Sequence, residues 1–232
     1  CGKCGNICPK DDIISYRHNA RELEILLPKC MEAGCETFEL HAAVGEHEIT
    51  MDEWKLINKI NPKNYNSMCL DRLNLGNLNL EHRIESAISI APDRIIIQAD
   101  GYPMSGGEDD FNTTMQAVAC ADVINKKFNM RKDPKRKTAT GKATRSSKKA
   151  YRSLKCPKIV PIVLSGGTNS LSRELAEKCG VRCNGVAIGT FARDIIEEFV
   201  QYEDFYENID IIKLAYRIAN ELVMKNKMKE LV

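Results

Sequence analysis

The chain predicts an α/β fold with parallel strands, and two observations carry that expectation. Short β-branched or apolar runs alternate with longer stretches of helical period along most of the sequence. Glycine-rich turns follow the last two of those runs, where a strand hands over to a helix. Composition agrees: 232 residues with 43% hydrophobic and 28% charged residues suit one large core or two small ones. No apolar run is long enough to cross a bilayer, so a membrane is not an expected partner.

The first nine residues stand apart. Cys1, Cys4 and Cys8, with Pro9 behind them, read Cys-x2-Cys-x3-Cys-Pro, the last three-quarters of the bacterial ferredoxin cluster run. A complete run predicts one more cysteine three positions before Cys1, so residues 1–12 read as the C-terminal end of a 4Fe–4S ferredoxin-type module. In two-cluster ferredoxins the last cysteine serves the other cluster, which assigns Cys1 and Cys4 to one cube and Cys8 to its partner. Half of a zinc site is the competing reading, but structural zinc needs a second Cys or His pair at a set distance and none follows convincingly. The seven other cysteines show no framework spacing, which suits reduced thiols in a reducing compartment, most of them in packing roles.

Residues 13–232 read as one barrel-like α/β domain. Its strands are expected at Thr37 to Ala42, Ser67 to Leu70, Arg94 to Ala99, Ile159 to Leu164 and Gly185 to Ile188. Helices should follow from near Asp52, Glu81, Asp110, Ser170 and Phe191. A helix from Pro28 to Ala33, stopped by Gly34, leads into the first strand. A last helix from Ile209 to Met224 puts Ile211, Ile212, Ala215, Ile218 and Leu222 on one face, which should lie against the outside of the sheet.

One stretch breaks the alternation. Between Lys126 and Lys158 fourteen Lys or Arg face a single acid, Asp133, so about +13 of charge sits in a chain whose total is +2. Poor in apolar residues, it reads as a basic disordered insert at about 127–157. Only Phe128 and Tyr151 stand near its ends, so it lacks the aromatics of a nucleic-acid stacking surface, and nucleic acid is not an expected partner.

Ser165-Gly166-Gly167-Thr168-Asn169 and Gly185-Val186-Ala187-Ile188-Gly189-Thr190 carry the strongest site signal. Glycines at strand carboxyl ends let main-chain N–H groups approach an anion, and a helix N-terminus adds its dipole. Gly166, Gly167, Thr168, Gly189 and Thr190, with Arg193 one turn on, are therefore expected to bind a phosphate-bearing ligand, FMN being one form. Taken singly, each loop also reads as an ordinary tight turn with Asn169 or Ser170 as a helix cap. Paired loops after the last two strands are the phosphate site of (β/α)8 TIM-like barrels, which makes the five βα units here the C-terminal five of eight. An open doubly wound sheet is the alternative. The barrel arithmetic requires three upstream βα units, so the upstream half of its own chain is the first expected partner.

Phe38-Glu39-Leu40-His41 with Gly45, Gln98-Ala99-Asp100-Gly101-Tyr102-Pro103-Met104-Ser105-Gly106, Thr113-Thr114 and both glycine loops through Phe191-Ala192-Arg193 resemble the C-terminal region of the LdpA family, the cyanobacterial light-dependent-period proteins. The likeness spans nearly all of the chain outside the basic insert. It implies an iron–sulfur, redox-sensing regulatory protein that relays redox and light state to the circadian clock, with clock or redox regulatory proteins as partners. It places the protein in a cyanobacterial cytoplasm, or in a plastid stroma if the source is an alga. The long insert and the acidic Glu108-Asp109-Asp110 depart from the family pattern. Fold-level analogy supplies a second reading, a ferredoxin-coupled oxidoreductase of TIM-barrel type using FMN.

Polar residues at strand ends complete the set. Asp100 sits where barrels place catalytic groups and could act as a base or bind a ligand hydroxyl, against an equally ordinary role in turn chemistry. Glu39 and His41 share one strand face, which in a barrel points inward near the mouth. Asp71 and Arg72 are weaker positions of the same kind, while His47 and His82 read as surface residues.

Overall fold

A computed structural model describes residues 20–43, 45–101, 109–130 and 159–227. Five parallel strands make one sheet: β1 Glu39–His41, β2 Asn66–Asp71, β3 Ile95–Asp100, β4 Ile162–Ser165 and β5 Gly185–Val186. Strand order in space follows order in the chain. Among the described strands the order shows no reversal of the kind that marks the switch point of a doubly wound sheet.

Helices α1 Ala20–Glu32, α2 His47–Ile60, α3 Arg72–Ile90, α4 Asp110–Ile124, α5 Ser172–Lys178, α6 Thr190–Asp194, α7 Glu197–Val200 and α8 Ile209–Asn226 accompany the strands, with a short π-helical turn at Asn125–Asn129. α3 and α4 lie against β2, β3 and β4. The strand sequences show which face they cover: Ile95, Ile97 and Ala99 of β3 and Ile162 and Leu164 of β4 are buried, while Ile96, Gln98, Asp100, Val163 and Ser165 between them are only half-buried. Each fully buried Ile or Leu contributes roughly 1.5–3 kcal/mol relative to exposure. On the helix side Trp54, Ile84, Ala87 and Ile88 close the layer, and Trp54 Nε1 donates to the Ala87 carbonyl at 3.1 Å.

At several strand and helix ends that depart from the pattern-based expectation, a side chain or a proline explains the shift. β1 begins two residues later than expected because buried Asn66 Oδ1, and not a strand carbonyl, accepts the Phe38 N–H at 3.2 Å. Pro161 has no N–H, so β4 starts at Ile162. α3 starts nine residues before Glu81 because Asp71 caps it, accepting from Asn74 N at 2.7 Å; the helix then breaks at Gly76 (φ 64°) and resumes. α1 begins well before Pro28, which lies inside it, and ends at Gly34 (φ 97°) as expected. The main neighbours of the last helix differ from the expected sheet face: α8 packs chiefly on α5 and α7, with Ala215 and Leu222 buried and Ile212 exposed.

The basic stretch leaves and rejoins the fold at one point. Asn129 Nδ2 donates to the Val160 carbonyl at 3.0 Å while its Oδ1 accepts from Val160 N at 2.8 Å, so one side chain pairs with the strand on the far side of the insert. Residues 131–158 of the insert, and Cys1, Cys4 and Cys8, lie outside the described residues. Among the described residues no helix is long and apolar enough to cross a membrane.

Candidate functional site

A cleft of about 330 Å³ opens at the carboxyl ends of the strands. Glu39, Gln98, Asp110, Thr113, Ser165, Gly166, Gly167, Thr168, Ala187, Ile188, Gly189, Thr190, Phe191 and Asp194 line it, so both glycine loops contribute, as the sequence predicts. The β4 loop is tied down from every side. Thr114 Oγ1 donates to the Gly167 carbonyl at 3.0 Å, Thr168 Oγ1 donates to the Ala187 carbonyl, and Asn169 Nδ2 donates to the Asp110 carbonyl at 2.7 Å. From α8, Asn226 Nδ2 reaches the Asn169 carbonyl at 3.2 Å. The hydroxyl of Thr168 thus donates its hydrogen to joining the two loops. Among the described residues no acceptor meets the N–H groups of Gly166, Gly167 and Thr168.

Gly166 and Gly167 lie at φ 60° and 70°, in the left-handed region. A Cβ on Gly166 would stand 1.5 Å from Asp100 Oδ1, and one on Gly167 would stand 2.7 Å from Thr113 Cβ. Gly101 is as crowded, with its would-be Cβ 2.6 Å from the Gly166 carbonyl oxygen. These three glycines therefore let the β3 end, the β4 loop and α4 touch. Close packing by itself therefore demands glycine at both positions of the β4 loop.

On the opposite lip, Gly189 stands at the N-cap of α6 and Thr190 opens that helix, which is only five residues long, so few peptide dipoles add there. Arg193 is exposed and its Nη2 donates to Thr190 Oγ1 at 3.2 Å; it is not part of the lining. Among the described residues no Lys or Arg lines the cleft, whereas the carboxylates of Glu39, Asp110 and Asp194 do. Their charge opposes an anion in the same mouth.

Asp100 ends β3 and faces away from the helices. Burial pushes its carboxyl up from the ordinary value, with the nearby Asp71 charge adding, while the Cys69 hydrogen bond, His41 and the Gly101 N–H pull it down. Its Oδ2 accepts from Cys69 Sγ at 3.2 Å. Burial first, and the Asp100 charge second, drive the Cys69 thiol far up, so Cys69 is a neutral donor here and not a thiolate nucleophile. Glu39 and His41 occupy the same face on β1, both exposed. His41 pairs in register with Cys69, and one donor atom from each of Glu39, His41 and Cys69 lies within 4.8 Å of the others. This set could hold a metal ion.

The other sequence-derived positions have structural roles. Asp71 caps α3, and Arg72 Nε donates to Asn77 Oδ1 at 3.0 Å. His82 is exposed as expected, but His47 is half-buried and stacks on it with ring centroids 4.2 Å apart. Residues 102–108, which include most of the quoted Gln98 to Gly106 motif, lie outside the described residues. Cys69 is what sequence reasoning misses, since its apolar surroundings group it with the packing cysteines. The available signal is the alternation Ser67-x-Cys69-x-Asp71, a polar face on a strand. Compared with protein-family models, with curated proteins and with solved structures, the chain matches none.

Proposed function

We propose that the protein is an iron–sulfur, redox-responsive regulatory protein whose sheet domain carries a ligand cleft, in line with the resemblance to the LdpA family. The observation that carries the proposal is convergence. Glu39, Gln98, Thr113, Ser165 to Thr168 and Ala187 to Phe191 come from motifs spread over some 150 residues of sequence, each quoted for the resemblance, and they line one cleft.

Cys1, Cys4 and Cys8 are the donors assigned to the cluster chemistry. Their thiolate set suits iron–sulfur ligation, and among the described residues no other three cysteines gather. A cluster supplies one-electron chemistry when bound. The parallel sheet, with strands in chain order and helices against one face, is compatible with the later part of an eight-stranded barrel closed by upstream strands. The acidic lining favours the regulatory reading over the flavin-dependent oxidoreductase, whose ligand would bring a phosphate toward Glu39, Asp110 and Asp194.

The test uses the full-length protein purified anaerobically. Iron and acid-labile sulfide in cluster stoichiometry, a paramagnetic signal on dithionite reduction, and loss of both in Cys4→Ser and Cys8→Ser are expected. Stoichiometric zinc without labile sulfide overturns the proposal. Hydrogen exchange at Gly101 and in the 165–169 loop should differ between the oxidised and reduced protein, and identical exchange would sever the cleft from the redox centre.

A further inference from the structure

We propose that Glu39, His41 and Cys69 form a site for one divalent transition-metal ion, separate from the cysteines at the start of the chain and independent of the iron–sulfur reading. The sheet makes the site. Glu39 and His41 are two apart on β1, so they project from one face, and His41 lies beside Cys69 in the parallel register of β1 and β2. The three donor atoms, a carboxylate oxygen, an imidazole nitrogen and a thiol sulfur, fall within 4.8 Å of one another. Around a tetrahedral ion such donors stand roughly 3.5 Å apart, as metal–ligand bonds of about 2.0–2.3 Å dictate. Glu39 and His41 are exposed, and rotation of their side chains closes the difference while Cys69 stays fixed in the sheet.

Further groups already hold these donors, as metal-ligating side chains are usually held. Gln98 Nε2 donates to Glu39 Oε2 at 2.7 Å and contacts Ser67 Oγ at 3.0 Å, steadying the carboxylate from the next strands. In the metal-free protein Asp100 Oδ2 accepts from Cys69 Sγ at 3.2 Å, which places the sulfur at this end of the strand; that hydrogen bond is given up when the thiol binds a metal. A mixed sulfur, nitrogen and oxygen set selects a borderline ion such as zinc over calcium or magnesium, which want oxygen alone. Binding displaces the thiol proton to solvent. Glu39 and Gln98 also line the cleft, so a fourth coordination position would open toward it, as in zinc sites that keep one position for water or a ligand.

The test is cobalt titration of the full chain in a background where Cys1, Cys4 and Cys8 are serine, which removes the competing thiolates. One equivalent of cobalt should produce sulfur-to-metal charge transfer and the visible bands of a tetrahedral ion, with zinc displacing it. Cys69→Ser should abolish the charge transfer. His41→Asn, at an exposed position that cannot unfold the sheet, should weaken binding at least tenfold, and Gln98→Ala should weaken it about 10–100-fold by freeing Glu39. Absence of cobalt binding overturns the proposal, as does binding left unchanged by Cys69→Ser and His41→Asn.

Discussion

Replacing Gly166 by alanine probes the contact that organises the cleft. The new methyl would begin 1.5 Å from Asp100 Oδ1 and 2.6 Å from its carboxyl carbon, and Gly166 also holds φ 60°. Left-handed backbone costs a non-glycine residue roughly 1–2 kcal/mol. Asp100 must then move and give up its hydrogen bond from Cys69, which adds about 1–3 kcal/mol for a buried, charge-assisted bond. Gly180 supplies the control: it has φ 67° and a Cβ added there would meet nothing within 4 Å, so Gly180→Ala should cost the backbone share alone. Urea unfolding followed by the fluorescence of Trp54, the single tryptophan and fully buried, should separate the two variants by at least ~1 kcal/mol. In an Asp100→Ala background the penalty at Gly166 should fall toward that at Gly180, the Gly101 nitrogen 3.1 Å from the new methyl remaining, a coupling that a double-mutant cycle reads directly. Equal costs at Gly166 and Gly180, or no coupling to Asp100, would refute the packing account of the glycine loop and return those residues to a ligand role.

Two further outcomes follow from other parts of the molecule. Replacing Arg131 to Arg152 by a short Gly/Ser linker should leave the thermal midpoint nearly unchanged, because Asn129 pairs with Val160 and brings both ends of the excursion to one place; a large drop in the midpoint refutes this. The His47 pKa lies below 6.5 chiefly through burial, with the positive charges of His82 and Arg83 adding and Glu48 opposing. The folded state therefore takes up fewer protons than the unfolded state as pH falls through 6.5, and urea stability should decline there; His82→Gln should shallow that decline, and an unchanged slope would remove His82 as a cause.

The fold was legible because each strand announces itself by composition. Ile95-Ile96-Ile97 and Ile162-Val163-Leu164 are β-branched or apolar runs bounded by turn residues, and the Asp110 helix start coincides with its Asp109 cap. Strand edges were less legible, since they depend on pairings across the chain: Asn66 intercepts the Phe38 N–H, a contact between residues 28 apart that no local window contains. The docking of α8 eludes the sequence for a related reason. An apolar stripe shows that a helix buries a face, but not which neighbour receives it.

The site shows the same division more sharply. Residue type flagged Gly166, Gly167, Gly189, Thr190 and Asp100, and the structure gathers them near one mouth, but type alone could not say why the glycines are glycines. A phosphate loop and a close packing turn demand the same absence of Cβ, and they differ only in what occupies the vacated volume. Here Asp100 and Thr113 occupy it. The glycines let the β4 loop pass against the Asp100 carboxyl, which the pairing of β2 with β3 sets within reach of Cys69, beside His41 and Glu39. Beside the loops, the strand faces carry chemistry of their own. On β1 and β2 that chemistry is written with period two, in Glu39-x-His41 and Ser67-x-Cys69-x-Asp71, a pattern that becomes a site only when parallel pairing sets His41 beside Cys69.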